Sequence, residues 1–200
     1  GPGRTQAATK FFLYTLVGTV MILVVMIGLG LSVYDPIATG QHLGVLSLNE
    51  TPSISQMESL QSFVQAHALS AQDLVHSLNM VLMTDVNNFV PGAVLSPTSG
   101  ALIGGQAARL VAFLGLLIGF LIKLAAVPFH TWLPDAHVEA PTPISMVLAA
   151  LLLKVGGYGL LRTAYSIFPE GALYYSWGIG TLGVWTIVYA ALNALAMQDL

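Results

Sequence analysis

Two lysines stand in this sequence where lysines are costly. Lys123 lies inside LVAFLGLLIGFLIKLAAVPFH (residues 110–130) and Lys154 inside ISMVLAALLLKVGGYGLL (residues 144–161), runs otherwise suited to hydrocarbon. A charged side chain at membrane depth costs about 3 kcal/mol or more unless it faces an internal cavity or a partner. Desolvation disfavours the charged form of an ammonium, so lysine, unlike arginine, releases a proton readily in such a place. The lysines flank HTWLPDAHVEAPTP (His130–Pro143), which brings two histidines, Asp135 and Glu139 together beside a membrane. These types at this spacing suit a route for protons or cations. The competing reading is a lysine pinned by backbone carbonyls or snorkelling to the interface. Lys154 is too deep to snorkel easily; Lys123 is nearer a helix end.

His130 is the third candidate, because imidazole titrates near neutral pH and can relay a proton. Were the helix to run on through Pro128, a seven-residue offset would return His130 to within about 20° of the Lys123 face. A histidine at a membrane edge is also commonly just a satisfied hydrogen-bonding group. The whole run likewise has a plain reading as an interfacial turn, with Trp132 anchored at the headgroups and the charges in water. A zinc site from His130, His137 and Glu139 is disfavoured: the spacing fits no metalloprotease helix, and Pro134 falls between the histidines.

The elements that must position these residues are membrane spans of about 20 apolar residues. Four segments qualify: Phe11–Val33, Leu110–Phe129, Ile144–Phe168 and Ala172–Met197. The second is predicted to break near Lys123–Pro128, since proline disturbs its last turn, and broken spans tend to line cavities. The third starts at Pro141-Thr142-Pro143, which places Lys154 about 16 Å further on, near the bilayer midplane. Gly156, Gly157 and Gly159 leave room for a neighbouring helix to approach. Gly178, Gly180 and Gly183 mark the early half of the fourth.

Residues 35–106 have a different character. From Phe11 to Ala108 there is no lysine or arginine, while Asp35, Glu50, Glu58, Asp73 and Asp85 fall in that stretch. Apolar positions from Leu60 through Val64, Leu74 and Leu78 to Leu82 keep helical periodicity, with Gln61 and Gln65 opposite. Ser55 with Glu58, and Ser70 with Asp73, match capping boxes, predicting two short amphipathic helices. Val90–Gly105, rich in Gly, Pro and Ser, is expected to be a loop.

Composition agrees. Hydrophobic residues make up 56% and charged residues 8%, with mean hydropathy +0.79, against roughly 25% charged in soluble domains. The net charge of −3 gives nucleic acid no footing as a partner. Without cysteine there is no disulfide framework, thiolate zinc site or cysteine-held iron–sulfur cluster. The sequence opens GPGRTQ and closes on Asp199-Leu200 directly after an apolar run, and it reads as an excerpt of a longer membrane subunit. Arg4 and Lys10 precede the first span, so the positive-inside rule puts that edge in the cytoplasm. The organisation expected is thus 1–34, a cytoplasmic edge and first span; 35–106, an extracytoplasmic loop; and 107–200, three spans including the broken one.

The block KLAAVPFHTWLPDAHVEAPTPISMVLAALLLKVGGYGLLR (Lys123–Arg162) resembles the subunit 4 (subunit M) family of proton-pumping NADH:quinone oxidoreductase, respiratory complex I. KFFLYTLVGTVMIL (residues 10–23) and VYAALNALAMQDL (residues 188–200) are similar to neighbouring parts of that family. The resemblance implies an all-α, polytopic, antiporter-like bundle of 14 helices with two inverted five-helix repeats, of which this chain supplies roughly helices 6 to 9. It implies that Lys123 is the lysine of the broken helix, Lys154 the central lysine and His130 the histidine after the break, together a proton relay. It further implies a translocase subunit of the bacterial inner membrane, in contact with lipid and the other membrane-arm subunits. Such a subunit carries no redox cofactor or metal and does not bind NADH. Ala125 replaces a proline common in the family, so a softer break is expected. Cation/proton antiporter subunits and photosynthetic NDH-type complexes are the related alternatives.

Overall fold

A computed structural model describes residues 3–46, 53–67, 73–97, 99 and 104–196. The protein is an all-α integral membrane protein; among the described residues the only β pairing is two isolated bridges, Val33 with Phe89 and Tyr34 with His76. Four helical stretches are long and apolar enough to cross a bilayer: Arg4–Ser32, Gln106–Glu139, Thr142–Tyr165 and Ser176–Ala196. They overlap the four spans read from hydropathy, but the first also takes in the polar turn from Arg4 to Lys10 and the second runs ten residues past Phe129 to Glu139; Met197, the expected end of the fourth, lies outside the described residues. The chain forms two compact units, Gly1–Ile22 with Phe113–Leu200, and Leu23–Ala112.

The first unit contains the opening half of α1 (Arg4–Ser32) and most of α5 (Gln106–Leu124). After these come the short helix α6 (Trp132–Glu139), the third span with α7 (Thr142–Val147) and α8 (Leu153–Gly159), then α9 (Pro169–Tyr174) and α10 (Ser176–Ala196). Small residues set how closely the helices approach, as expected where lipid is as apolar as the side chains. A Cβ on Gly18 would meet the Gly119 carbonyl oxygen at 3.0 Å, and one on Gly119 would meet the Gly18 oxygen at 2.8 Å. On α5 a second contact row runs antiparallel to the rest: Gly171 abuts Phe113, Gly159 abuts Phe120 and Gly156 abuts Leu124. Phe113 also stacks on Tyr175 and meets Tyr165 edge-on. Gly178, Gly180 and Gly183 of α10, in contrast, face open space.

The second unit holds the end of α1 and residues up to the start of α5. Asp35 caps α2 (Pro36–His42) by accepting from the Ile37 and Ala38 N–H groups. Helix α3 (Ile54–His67) is one of the two predicted amphipathic helices. Its box is Ser53–Gln56, two positions before the expected Ser55–Glu58: Gln56 Oε1 accepts the Ser53 N–H at 2.8 Å. Leu60 and Val64 are buried as predicted. Gln61 and Gln65, expected on the water-facing side, instead bind the 85–89 turn, Gln61 Nε2 donating to Asn88 Oδ1 at 2.8 Å and to Asp85 Oδ2 at 3.1 Å.

The second predicted helix is not formed over its described part, and Ser70 lies outside the described residues. The chain from Val75 to Asn79 is non-helical, because Val33 and Tyr34 offer backbone partners: the Asp35 N–H donates to the Val75 carbonyl, and the Ser77 N–H to the Val33 carbonyl. Only one turn, α4 (Met80–Met83), follows, capped by Asn79. Tyr34 is buried with Val64 and Leu74, and burial first, then the Asp85 charge, pushes its phenol from 10.0 up to about 12. The described part of the 90–105 loop is irregular as expected. It is fastened by Arg109, buried at the start of α5, whose Nη1 donates to the Leu95 carbonyl and whose guanidinium lies 4.9 Å from the Phe89 ring centre.

Candidate functional site

The second span breaks where the sequence predicts, and sharply. Helix α5 stops at Leu124, and its last carbonyls are closed by two reverse bonds: Ala126 N–H to Leu121 O at 3.1 Å and Ala125 N–H to Ile122 O at 3.3 Å. That pair, with Ala125 at φ +55°, is a Schellman ending carrying alanine where glycine is usual. A β-carbon in the left-handed region costs about 1–2 kcal/mol. Alanine in place of proline therefore does not soften the break; proline, held near −65°, is excluded from this geometry. The chain then passes a cis Val127–Pro128 peptide and one tight turn, Phe129–Thr131.

Residues Trp132–Glu139, expected as an interfacial turn, form α6. Pro134 does not prevent it, because it sits in the first turn, where backbone N–H groups lack helical partners anyway. Trp132 is no headgroup anchor. It is fully buried, its indole N–H donates to the Ile122 carbonyl at 3.0 Å, and Phe11 lies against its ring. The tryptophan thereby holds the residue just before Lys123.

Lys123 occupies the last turn of α5, where the helix dipole favours a cation, and is half-buried. Helix α8 lies directly on this ending: a Cβ at Gly156 would be 2.8 Å from the Leu124 nitrogen and 3.2 Å from the Lys123 carbonyl carbon. The glycine two residues after Lys154 thus brings the segments of the two lysines together.

Lys154 itself is exposed on this chain rather than buried. It lies just past a five-residue π-helical stretch, Leu148–Leu152, and before a second one, Leu160–Tyr165. In the first, the Leu153 N–H reaches back to the Leu148 carbonyl, and the Ala149 carbonyl accepts the Lys154 ammonium at 2.8 Å.

His130 does not share a helical face with Lys123, since the helix ends between them. It is half-buried in the turn after the break, with its ring edge-on to Tyr189 of α10 at 5.1 Å. Its Nδ1 is shut off from solvent with no hydrogen-bond partner among the described residues. Among the described residues no three histidine, aspartate or glutamate side chains group as metal ligands.

Sequence reasoning missed two participants. Lys10, read only as an orienting charge, pairs with Asp135 at 2.7 Å, and Tyr14 accepts from Thr131 Oγ1 at 3.0 Å. The matching four-residue spacings, Lys10 to Tyr14 and Thr131 to Asp135, were the available signal.

The family model described as NADH:quinone oxidoreductase/Mrp antiporter, TM, matches residues 73–200. NAD(P)H-quinone oxidoreductase chain 4 2 of Thermosynechococcus vestitus is 36% identical over 200 residues, 100% of this chain and 27% of that protein. NADH-quinone oxidoreductase subunit M of Rhodobacter capsulatus is 36% identical over 202 residues, covering 100% and 30%. Chain 4-3 of the Nostoc enzyme is 51% identical over 94 residues, 47% of this chain and 17% of the relative.

Proposed function

The chain belongs to the NADH:quinone oxidoreductase/Mrp antiporter transmembrane family, and from that premise we propose that it is part of a proton-translocating membrane-arm subunit of an NADH:quinone oxidoreductase. It contributes to an enzyme complex as a translocase component, beside the other membrane-arm subunits, and Lys123, His130 and Lys154 carry the proton. The observation that supports this most is the seating of Gly156 on the Lys123–Leu124 backbone. It couples the end of a broken span to the span bearing the second lysine.

The mechanism is electrostatic. A charge arriving from the adjoining subunit disfavours the Lys123 ammonium, which gives up its proton toward Lys154, with the imidazole of His130 at the break as the intermediate acceptor. Helix α1 would enter from the cytoplasm, leaving 35–106 on the far side.

Lys123→Arg tests the reading. A fixed structural cation is replaced by arginine at little loss, whereas a proton carrier is not, because guanidinium does not deprotonate in proteins. In the assembled oxidoreductase, Lys123→Arg should reduce proton pumping nearly as far as Lys123→Ala. If arginine supports wild-type pumping while alanine abolishes it, Lys123 is a fixed charge and the relay reading fails. Lys154→Met should likewise assemble and lose most pumping. Exchange of sodium for protons without quinone reduction would favour the antiporter alternative.

A further inference from the structure

We infer that Lys10 and Asp135 are positioning residues for the relay: they clasp the segment after the break onto the first span and so hold the last turn of α5. The inference rests on the proposal that Lys123 carries the proton.

Four contacts form one continuous chain. Lys10 Nζ meets Asp135 Oδ2 at 2.7 Å. One helical turn along α1, Tyr14 accepts from Thr131, four residues before Asp135 in the turn that leads into α6. These are two rungs of an antiparallel ladder. Between the rungs, Phe11 packs on Trp132 with ring centres 5.3 Å apart. Trp132 then donates to the Ile122 carbonyl, the same oxygen that accepts the Ala125 N–H of the helix ending. Tension at the outer rung is therefore passed by one buried, rigid side chain to the peptide adjoining Lys123.

Of the apolar side chains packed on Ala125, Trp132 and Ala136, α1 supplies Phe11 and Tyr14, and because hydrophobic contact is non-directional it sets the register of α6 along α1 only weakly. The ladder does fix it, since its rungs engage only when both spacings coincide. The left-handed Ala125 supplies the reason for a clasp: a helix ending that carries a β-carbon in that region relaxes unless its surroundings hold it. The bland alternative is an ion pair with no consequence. Lys10 and Asp135 keep 35% and 50% of their side-chain exposure, and such pairs commonly contribute little.

These 200 residues hold no cysteine, so a thiol introduced among them is followed in its own peptide by mass spectrometry of the digested complex. Ala126→Cys places a thiol at the buried residue that closes the helix ending. Its reaction with N-ethylmaleimide is timed in membranes carrying the assembled oxidoreductase, alone and with Lys10→Asp, Asp135→Lys or both. Each single reversal should raise the labelling rate roughly two- to fivefold, equivalent to about 0.4–1 kcal/mol of lost pairing. The double reversal should bring it back to within a factor of about two of the parent, with the proton-to-electron ratio following the same pattern.

Single reversals that label at the parental rate, or a double reversal as reactive as the singles, overturn the inference. Should a reversal fail to assemble, Asp135→Asn removes the charge at constant shape and is judged by the same rise in labelling. A parent complex that reduces quinone without pumping refutes the relay proposal and leaves the labelling rates to decide the clasp.

Discussion

Gly156→Ala isolates the contact on which the two-lysine arrangement depends. The added methyl would lie 2.8 Å from the Leu124 nitrogen and 3.2 Å from both the Leu124 Cα and the Lys123 carbonyl carbon. All three are backbone atoms, so no side chain can rotate aside. Reaching the ~3.5 Å at which non-bonded atoms rest requires α8 and the end of α5 to separate by roughly 0.7 Å. Overpacking of this kind costs about 1–3 kcal/mol. Alanine also recovers up to about 1 kcal/mol of helix propensity over glycine, which would mask part of the loss. Gly157→Ala removes the ambiguity: it makes the same propensity change one residue away, yet among the described residues its methyl meets only the Leu124 Cδ1, at 3.7 Å. The difference between the two variants is therefore the clash itself, about 1–3 kcal/mol. It is measured by SDS-titrated unfolding in mixed micelles, with proton pumping assayed in membranes. Equal stabilities within about 0.5 kcal/mol, or pumping lost equally in both, would refute the close seating of α8 on the broken end.

At the break, Ala125→Gly is expected to stabilise by up to about 1 kcal/mol, the left-handed penalty less the entropy glycine adds to the unfolded chain, whereas Ala125→Pro should prevent assembly; both are read by immunoblot of the assembled complex. Tyr34 stays neutral to high pH, so its contribution to the second unit is fully present below pH 10.0 and falls away as pH rises toward about 12; hydrogen exchange across that range should show the fall, and Tyr34→Phe should flatten it. Cysteines at Ser53 and Val94 should react with impermeant maleimide from outside intact cells, and reaction only in inverted vesicles reverses the orientation. Val94 is exposed.

What was legible in the sequence was what rests on bulk hydropathy and on side chains that cannot do otherwise. Lipid-length apolar runs gave the four spans, Pro128 marked the break, and the Gly156–Gly159 cluster marked a close helix approach. What escaped depended on partners far away in sequence. Val75–Asn79 keeps a helical apolar pattern yet is non-helical, because the free backbone of Val33 to Asp35 competes for its hydrogen bonds. Trp132 has the composition of an interfacial anchor, and only the location of the Ile122 carbonyl makes it a core strut. The candidate site was half legible. Residue type singled out Lys123, Lys154 and His130, and the predicted break separates His130 from the Lys123 face it would share on an unbroken helix; the ending through an alanine at φ +55° has no sequence signature. The Lys10–Asp135 clasp was hidden because each member had an adequate local explanation.

The widened turns of the third span change how that span must be edited. Each π-helical stretch accommodates one surplus residue relative to an α-helix, so whatever follows is rotated by about 100° from its place on a regular helical wheel. Lys154 lies after the first such stretch and before the second. Its azimuth is thus one residue's turn away from the place that counting along a regular helix would give it. Removing one residue between Leu148 and Leu152 would take up that surplus, restore a regular α-helix and leave the ammonium on the same flank, with composition and hydropathy nearly untouched. Here a deletion is absorbed by the widened turn, and alignments that place a one-residue gap in this run compare lysines aimed in the same direction, whereas a gap in the regular turns beside it would not.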